Sequence, residues 1–312
     1  MSARAPERPK ETAPIPPDLT FDHLIVTRYN VPISWGRRGQ LHADEEWLKG
    51  RQRLFEHYCL PSVVAAEQSS QSVTWVVLCA VDSPASLRTF MAQLQQLHPW
   101  IVPLYVEENP RMGEIVIEIS KRKAKQPCPF LLTTRLDSDD SMGGNFVEDL
   151  HRAAMQSLEL EITGERQLPA LINFPIGYQA VGGRLYLSFD LGNPFLSYLE
   201  EQSDDQPIVG CYPYPHRDLH KAARTVRQLI GSGPSWLQAL HGTNEATVVC
   251  GLRVPLGTGI KRFALLGTEE HPRGHATGVK EAGRGIREQL IQLADYCWKR
   301  AVFRSSRSKQ IR

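Results

Sequence analysis

The sequence lacks paired cysteines. Its six, at positions 59, 79, 128, 211, 250 and 297, are scattered singly and form no Cys-x-x-Cys. That pattern argues against a disulfide framework or a zinc site and favours a reducing compartment. No apolar run approaches the roughly 18 residues needed to cross a bilayer. The first twenty residues are rich in proline and charge (Ala5-Pro6-Glu7-Arg8-Pro9, Pro14-Ile15-Pro16-Pro17) and hold no apolar signal core. The expectation is a disordered lead-in over 1–20 and a soluble, cytoplasmic protein without a transmembrane segment. Neither sign of charge dominates: 36 Lys and Arg face 34 Asp and Glu, a net +2. Bulk electrostatics therefore gives no case for nucleic acid. Also missing are a Gly-x-x-x-x-Gly-Lys-Ser/Thr phosphate loop, a Gly-x-Gly-x-x-Gly after the first strand and a Gly-x-Ser-x-Gly elbow. There is no internal repeat.

What is present alternates in period. His23 to Arg28 reads as a first strand, and Asp44 to Ala66 as an amphipathic helix through Trp47, Leu48, Leu54, Phe55, Tyr58 and Cys59, interrupted or restarted at Pro61. Val73 to Val81 is apolar throughout, as a strand covered on both faces is, and ends at Asp82-Ser83-Pro84. A helix over 86–97, a strand over 101–106 and a helix over 112–125 come next. Then comes Pro129 to Arg135, an apolar run closed by Asp137-Ser138-Asp139-Asp140, and a helix over 145–158. Four strand–helix alternations predict an α/β fold with a doubly wound, mostly parallel, Rossmann-like sheet.

After Thr163 the texture changes. Ala170 to Phe174 reads as a strand, and Tyr178–Val181 and Arg184–Phe189 as a hairpin around Gly182-Gly183. Gly192 to Gly259 is rich in Gly, Pro and His, with short helical pieces expected near 219–229 and 235–240. This half reads as a ligand-facing addition to the same sheet. Residues 262–285 read as loop, 283–303 as a helix and 304–312 as a basic tail, so the prediction is one domain over 21–303, with halves 21–160 and 161–303.

Three carboxylates within four residues repel one another unless a cation or open water attends them. Four readings compete. The acids can cap the next helix. They can open a calcium loop, since Asp137, Asp139, Ser141, Asn145 and Glu148 fall at ligand positions, although Met142 stands where the sharp turn needs glycine. They can form a phosphatase-type Asp-x-Asp of haloacid dehalogenase character, with Ser141 a weak stand-in for its Thr or Val. Or they can clamp a divalent ion on the diphosphate of a nucleotide-sugar. An Asp-x-Asp closing the fourth strand of a Rossmann-like sheet is the hallmark of glycosyltransferases of GT-A fold, and the placement favours this reading.

The chain resembles the rhamnosyltransferase family of GT-A type. The likeness runs through Leu24-Ile25-Val26-Thr27-Arg28-Tyr29-Asn30, Arg53 to Ser62, Thr74-Trp75-Val76-Val77, Thr134 to Asp140, Asn193-Pro194-Phe195 and Trp236 to Gly242. It implies a GT-A-type sheet with a C-terminal, acceptor-side α+β extension. It also implies transfer of a sugar, rhamnose or another deoxyhexose, from a nucleoside-diphosphate donor to a small molecule, glycan or peptide. Thr27, Arg28, Tyr29 and Asp82 would face the nucleotide, and Arg135, Asp137 and Ser138 the ribose or diphosphate. Asp139 and Asp140 would hold Mn²⁺ or Mg²⁺, with His241, then His216, as a further ligand. An inverting transfer needs a carboxylate base; Asp190 ranks first, with Asp218, Glu200 and Glu201 also in the second half. His271 and His275 are discounted as a zinc pair because Pro272 and Gly274 oppose a helix there. The alternatives are a metal-dependent phosphatase and a non-enzymatic nucleotide- or calcium-binding module.

Overall fold

The computed structural model describes residues 20–32, 42–69, 73–123, 128–203, 205–230, 233–241, 249–255 and 259–263. The expected helix over 283–303, the 304–312 tail, His271 and His275 lie outside the described residues, as does the lead-in up to 19.

Four parallel strands form the first half: β1 (Phe21–Arg28), β2 (Val73–Ala80), β3 (Ile101–Val106) and β4 (Phe130–Arg135). β2 is buried along its whole length, as its uninterrupted apolar run requires. Alternate residues serve opposite layers. Ile25, Trp75, Val77 and Leu132 pack on one face. Leu24, Val26, Val76, Leu78 and Leu131 pack on the other, against Met112, Ile115, Val116 and Ile119.

The helices are α1 (Glu45–Leu54), α2 (Leu60–Ser69), α3 (Ala85–Leu97), α4 (Met112–Lys123) and α5 (Phe146–Ile162). α1 begins at Asp44, whose side chain accepts the Trp47 N–H, a normal N-cap. A π-helical turn, Phe55–Cys59, joins α1 to α2, with the Leu60 N–H reaching back to the Phe55 carbonyl. Pro61 therefore does not stop the helix: the widened turn before it gives its ring room against the preceding carbonyls.

The chain runs outward from β1 to β2 to β3, then returns to place β4 on the other side of β1. β1 and β4 thus flank the point where strand order reverses, and open α/β sheets bind ligands there, beyond the carboxyl ends of the strands.

The second half departs from expectation in three places. β6 (Ala170–Asn173), β9 (Ser197–Glu201) and β10 (Thr225–Gln228) do extend the main sheet, in the order β10-β6-β9-β4-β1-β2-β3. β9 is antiparallel to both neighbours. Its sequence, SYLEE, has two acids at its end, and that masked a buried central strand; Glu200 is buried because its carboxylate accepts the Val209 and Gly210 N–H groups.

The hairpin of β7 (Ile176–Val181) and β8 (Arg184–Phe189) turns on Gly182 and Gly183, both at positive φ. It belongs not to the main sheet but to a second one, β12-β8-β7-β11-β5, with β5 (Ser141–Met142), β11 (Trp236–Ala239) and β12 (Leu252–Val254). The helical pieces expected near 219–229 and 235–240 are instead a short 3₁₀ turn, Leu219–Lys221, followed by β10, and the strand β11. Both strands gain their bonds from distant partners, which local periodicity does not report.

Candidate functional site

The acidic loop leaves β4 and is fixed at several points. Ser141 Oγ donates to the Tyr58 carbonyl at 2.6 Å, and the Met142 N–H reaches Ser62 Oγ at 3.1 Å. The π-helical turn and the start of α2 therefore support the loop from below. β5 pairs antiparallel with β11, and Gly143 N–H adds a bond to the Ser235 carbonyl. Two readings of the acids end here. Helix α5 starts beyond them, with Asn145 at its cap position. The flanking elements are strands β4 and β5 rather than the two helices of a calcium loop.

The three aspartates face different partners. Asp137 meets the Arg135 guanidinium at 3.4 Å. Burial opposes its charge, but Arg135 and Arg28 outweigh burial and hold its carboxyl below the usual range. Asp139 Oδ2 lies 2.8 Å from His241 Nε2 and 3.9 Å from Arg51 Nη1. Asp140 Oδ1 accepts the Ala239 N–H at 3.0 Å. Burial, then Asp139 and Asp137, push the Asp140 carboxyl well above its ordinary value. Ser138 Oγ is fully buried and has no hydrogen-bond partner among the described residues.

The structure brings Arg28, Arg135 and Asp137 together at the switch point, and Asp139 with His241 beside them. The other expected residues sit elsewhere. Thr27 Oγ1 accepts the Trp75 indole N–H at 2.9 Å inside the core. Tyr29 packs edge-on against Phe55 and is 2 % exposed. Asp82, at the tip of β2, pairs with His42 at 3.0 Å and is largely exposed. His216 bonds through Nδ1 to the Gly192 carbonyl. Burial and then Arg135 lower its pKa, and Asp190 opposes them. His216 thus belongs with Arg135 and Asp190. Asp190 Oδ1 takes the Gly192 N–H at 2.9 Å. Asp218 pairs with Lys221 on the surface.

Two residues escaped sequence reasoning. Arg51 is 6 % exposed, donates through Nε to the Tyr29 carbonyl at 2.9 Å and lies over the Trp47 ring. Its place in the last turn of α1 resembles an ordinary solvated charge, so no signal marked it. Tyr212 stands between Arg28 and Arg135, with its hydroxyl on the Val26 carbonyl at 2.9 Å. The run Tyr212-Pro213-Tyr214-Pro215, aromatics alternating with proline, was the available clue. Among the described residues no group of three or more His, Cys, Asp or Glu side chains is arranged to hold a metal ion, and no helix is long and apolar enough to cross a membrane.

Solved structures that are similar include Staphylococcus aureus TarS 1–349, with a TM-score of 0.39 at 11% identity over 70% of this chain and 60% of that one. Another is a 4-diphosphocytidyl-2C-methyl-D-erythritol synthase, with a TM-score of 0.33 at 10% identity over 69% of this chain and 93% of that one. A third is a nucleoside-diphosphate-sugar pyrophosphorylase from Vibrio cholerae RC9, with a TM-score of 0.31 at 13% identity over 67% and 92%. The chain thus spans less than two thirds of the TarS fragment. No curated protein matches it. A family profile described as "Putative rhamnosyl transferase" matches residues 23–252, from β1 to the start of β12 and across every cluster above. The chain belongs to this rhamnosyl transferase family.

Proposed function

We propose that the protein transfers a sugar, rhamnose or a related deoxyhexose, from a nucleoside-diphosphate donor to a hydroxyl of a small molecule, glycan or peptide, with Mn²⁺ or Mg²⁺ assisting. The observation that carries this reading is the pairing of opposite tasks at the switch point: a carboxylate–imidazole pair beside two arginines. Asp139 Oδ2 and His241 Nε2 are 2.8 Å apart. Asp139 and His241, held together by this bond, are the residues that would hold the ion. Mg²⁺ is commonly bound through one or two carboxylates plus substrate phosphates and water, and Asp139 is the carboxylate offered here. When bound, the ion would neutralise charge developing on the leaving diphosphate.

The chain's own residues supply the rest. Arg28 and Arg135 face the phosphates, and Asp137 holds Arg135 in place. Asp140 holds β11, and hence His241, against the loop through the Ala239 N–H. Thr27 and Tyr29 serve as supports under Arg28. Asp190 is the proposed base for the acceptor hydroxyl; it ends β8 next to His216.

Calorimetry with UDP, GDP and dTDP, with and without Mn²⁺, tests this. One nucleotide should bind and tighten with Mn²⁺, and Asp139→Ala, checked to be folded by circular dichroism, should lose the tightening. Full activity in Asp139→Ala would remove the clamp assignment. Calcium binding alone, with no nucleotide bound, would sink the reading.

A further inference from the structure

Two guanidinium groups share one aromatic ring at the switch point. Arg28 Cζ lies 4.6 Å from the centre of the Tyr212 ring, and Arg135 Cζ lies 5.2 Å from it. The face of an aromatic ring attracts a cation through its quadrupole, so the ring offsets part of the repulsion between the two charges. The ring cannot swing freely. Its hydroxyl donates to the Val26 carbonyl, the same oxygen that accepts the Leu136 N–H at 3.1 Å where β4 leaves β1.

Arg28 and Arg135 bring two guanidinium groups to one ring, and the Asp137 carboxylate lies 3.4 Å from only one of them, Arg135. Arg135 Nε is buried and has no hydrogen-bond partner among the described residues, and the same holds for Ser138 Oγ next to Asp137. Asp139, by contrast, already faces both Arg51 and His241. The two arginines thus present planar forked donors side by side, one of them with a buried Nε that has no partner among the described residues, a combination that suits an anion with several acceptor oxygens.

We propose that Tyr212 is a positioning residue that spaces Arg28 and Arg135 into a two-armed clamp for a diphosphate group. That the diphosphate belongs to a nucleotide-sugar rests on the glycosyl-transfer reading; the clamp itself is tested with inorganic pyrophosphate.

Calorimetry in EDTA, which removes any contribution from divalent ions, should show the wild type binding pyrophosphate more tightly than phosphate. Tyr212→Phe keeps the ring and should stay within about threefold of the wild type. Tyr212→Leu and Arg28→Gln should each lose about tenfold. The double variant should be little weaker than either single one, because ring and guanidinium act as a unit. Additive losses would reduce Tyr212 to a packing role and overturn the proposal. A folded Tyr212→Leu with unchanged affinity, or a wild type that ignores pyrophosphate, would overturn it too.

Arg28→Lys covers the case in which Tyr212→Leu does not fold. Lysine keeps the charge but not the planar group that stacks and forks, so it should bind several-fold more weakly; wild-type affinity there also overturns the clamp. A protein that binds pyrophosphate but no UDP, GDP or dTDP, with or without Mn²⁺, keeps the clamp and loses the glycosyl-transfer reading. Nucleotide binding that Tyr212→Leu leaves untouched does the reverse.

Discussion

Across β1 to β4 the side chains that meet are Val, Leu, Ile and Trp75, and the layers on both faces are apolar. Across β6 to β11 apolar packing, such as that of Tyr178, Leu185 and Leu237, is joined by buried polar bonds at the junctions. Asn193, fully buried, donates through Nδ2 to Asn173 Oδ1 and to the carbonyls of Phe174 and Asp190, and its Oδ1 accepts the Phe195 N–H. Trp236 donates its indole N–H to the Phe174 carbonyl while its ring stacks on Phe195 at 5.3 Å. Burial shapes the first half, whereas the second depends on individual hydrogen bonds and on one close approach of an aromatic ring to backbone. The first kind of order tolerates substitution by volume. The second tolerates almost none.

The sharpest way to break this contrast is Gly177→Ala. A Cβ there would lie 2.0 Å from the Trp236 ring, and the ring is held by both its stack and its N–H bond. The expected loss is ~3 kcal/mol or more, read as a lower urea midpoint. A loss under ~1 kcal/mol would mean that the second half repacks as readily as the first.

A paired substitution sharpens the comparison further. Leu132→Met, in the core of β4, should cost less than about 1.5 kcal/mol, because it conserves volume. Asn193→Leu keeps the branched shape, yet it takes a donor from Asn173 Oδ1 and the Asp190 carbonyl and the acceptor from the Phe195 N–H, and should cost about 2–3 kcal/mol. Equal losses in urea melts would erase the distinction.

The smallest effect comes from an exception within the apolar half. His23 Nε2 bonds Thr134 Oγ1 and its Nδ1 faces His151 Nε2, both at 2.8 Å, and Thr134 continues the chain to Ser197. Burial, then His151, lowers the His23 pKa, and burial lowers that of His151 to about 4. Unfolded histidine titrates near 6.5. Below 6.5 the unfolded chain takes up protons that the folded chain refuses, so stability falls as pH falls, and the His151 share levels off near 4. His151 alone should contribute about 1 kcal/mol per pH unit in urea melts at pH 7, 6 and 5. His151→Gln should take about that much off the slope and leave the His23 share; an unchanged slope would assign the pH dependence elsewhere.

The same contrast explains what could be read in advance. Val73–Ala80 and Ile101–Val106 announce themselves because a doubly covered strand must be apolar throughout. The hairpin is legible from Gly182-Gly183 because only glycine enters two successive positive-φ positions without strain. Trp236–Ala239 is not legible, because its bonds come from Tyr178–Ala180 and from Ser141–Met142, far away in sequence. At the site, the acids at the end of β4 stood out by their density. Arg51 and Tyr212 stayed hidden, since what singles them out is the neighbour each meets: Asp139 for one, the two guanidiniums for the other.

The π-helical turn at Phe55–Cys59 carries a consequence for the heredity of this fold. Each residue added to or removed from an α-helix rotates all later turns by about 100°. The π-helical turn holds one residue more than an α-helical turn needs, and Tyr58 and Ser62 meet Ser141 and Met142 only in that phase. A single-codon deletion within 55–59 would leave the helix apolar and intact in length to within 1.5 Å, yet swing its acidic-loop contacts a quarter-turn away. The surplus residue acts as a phase setting, and Pro61 just beyond it discourages slippage back to a regular spiral.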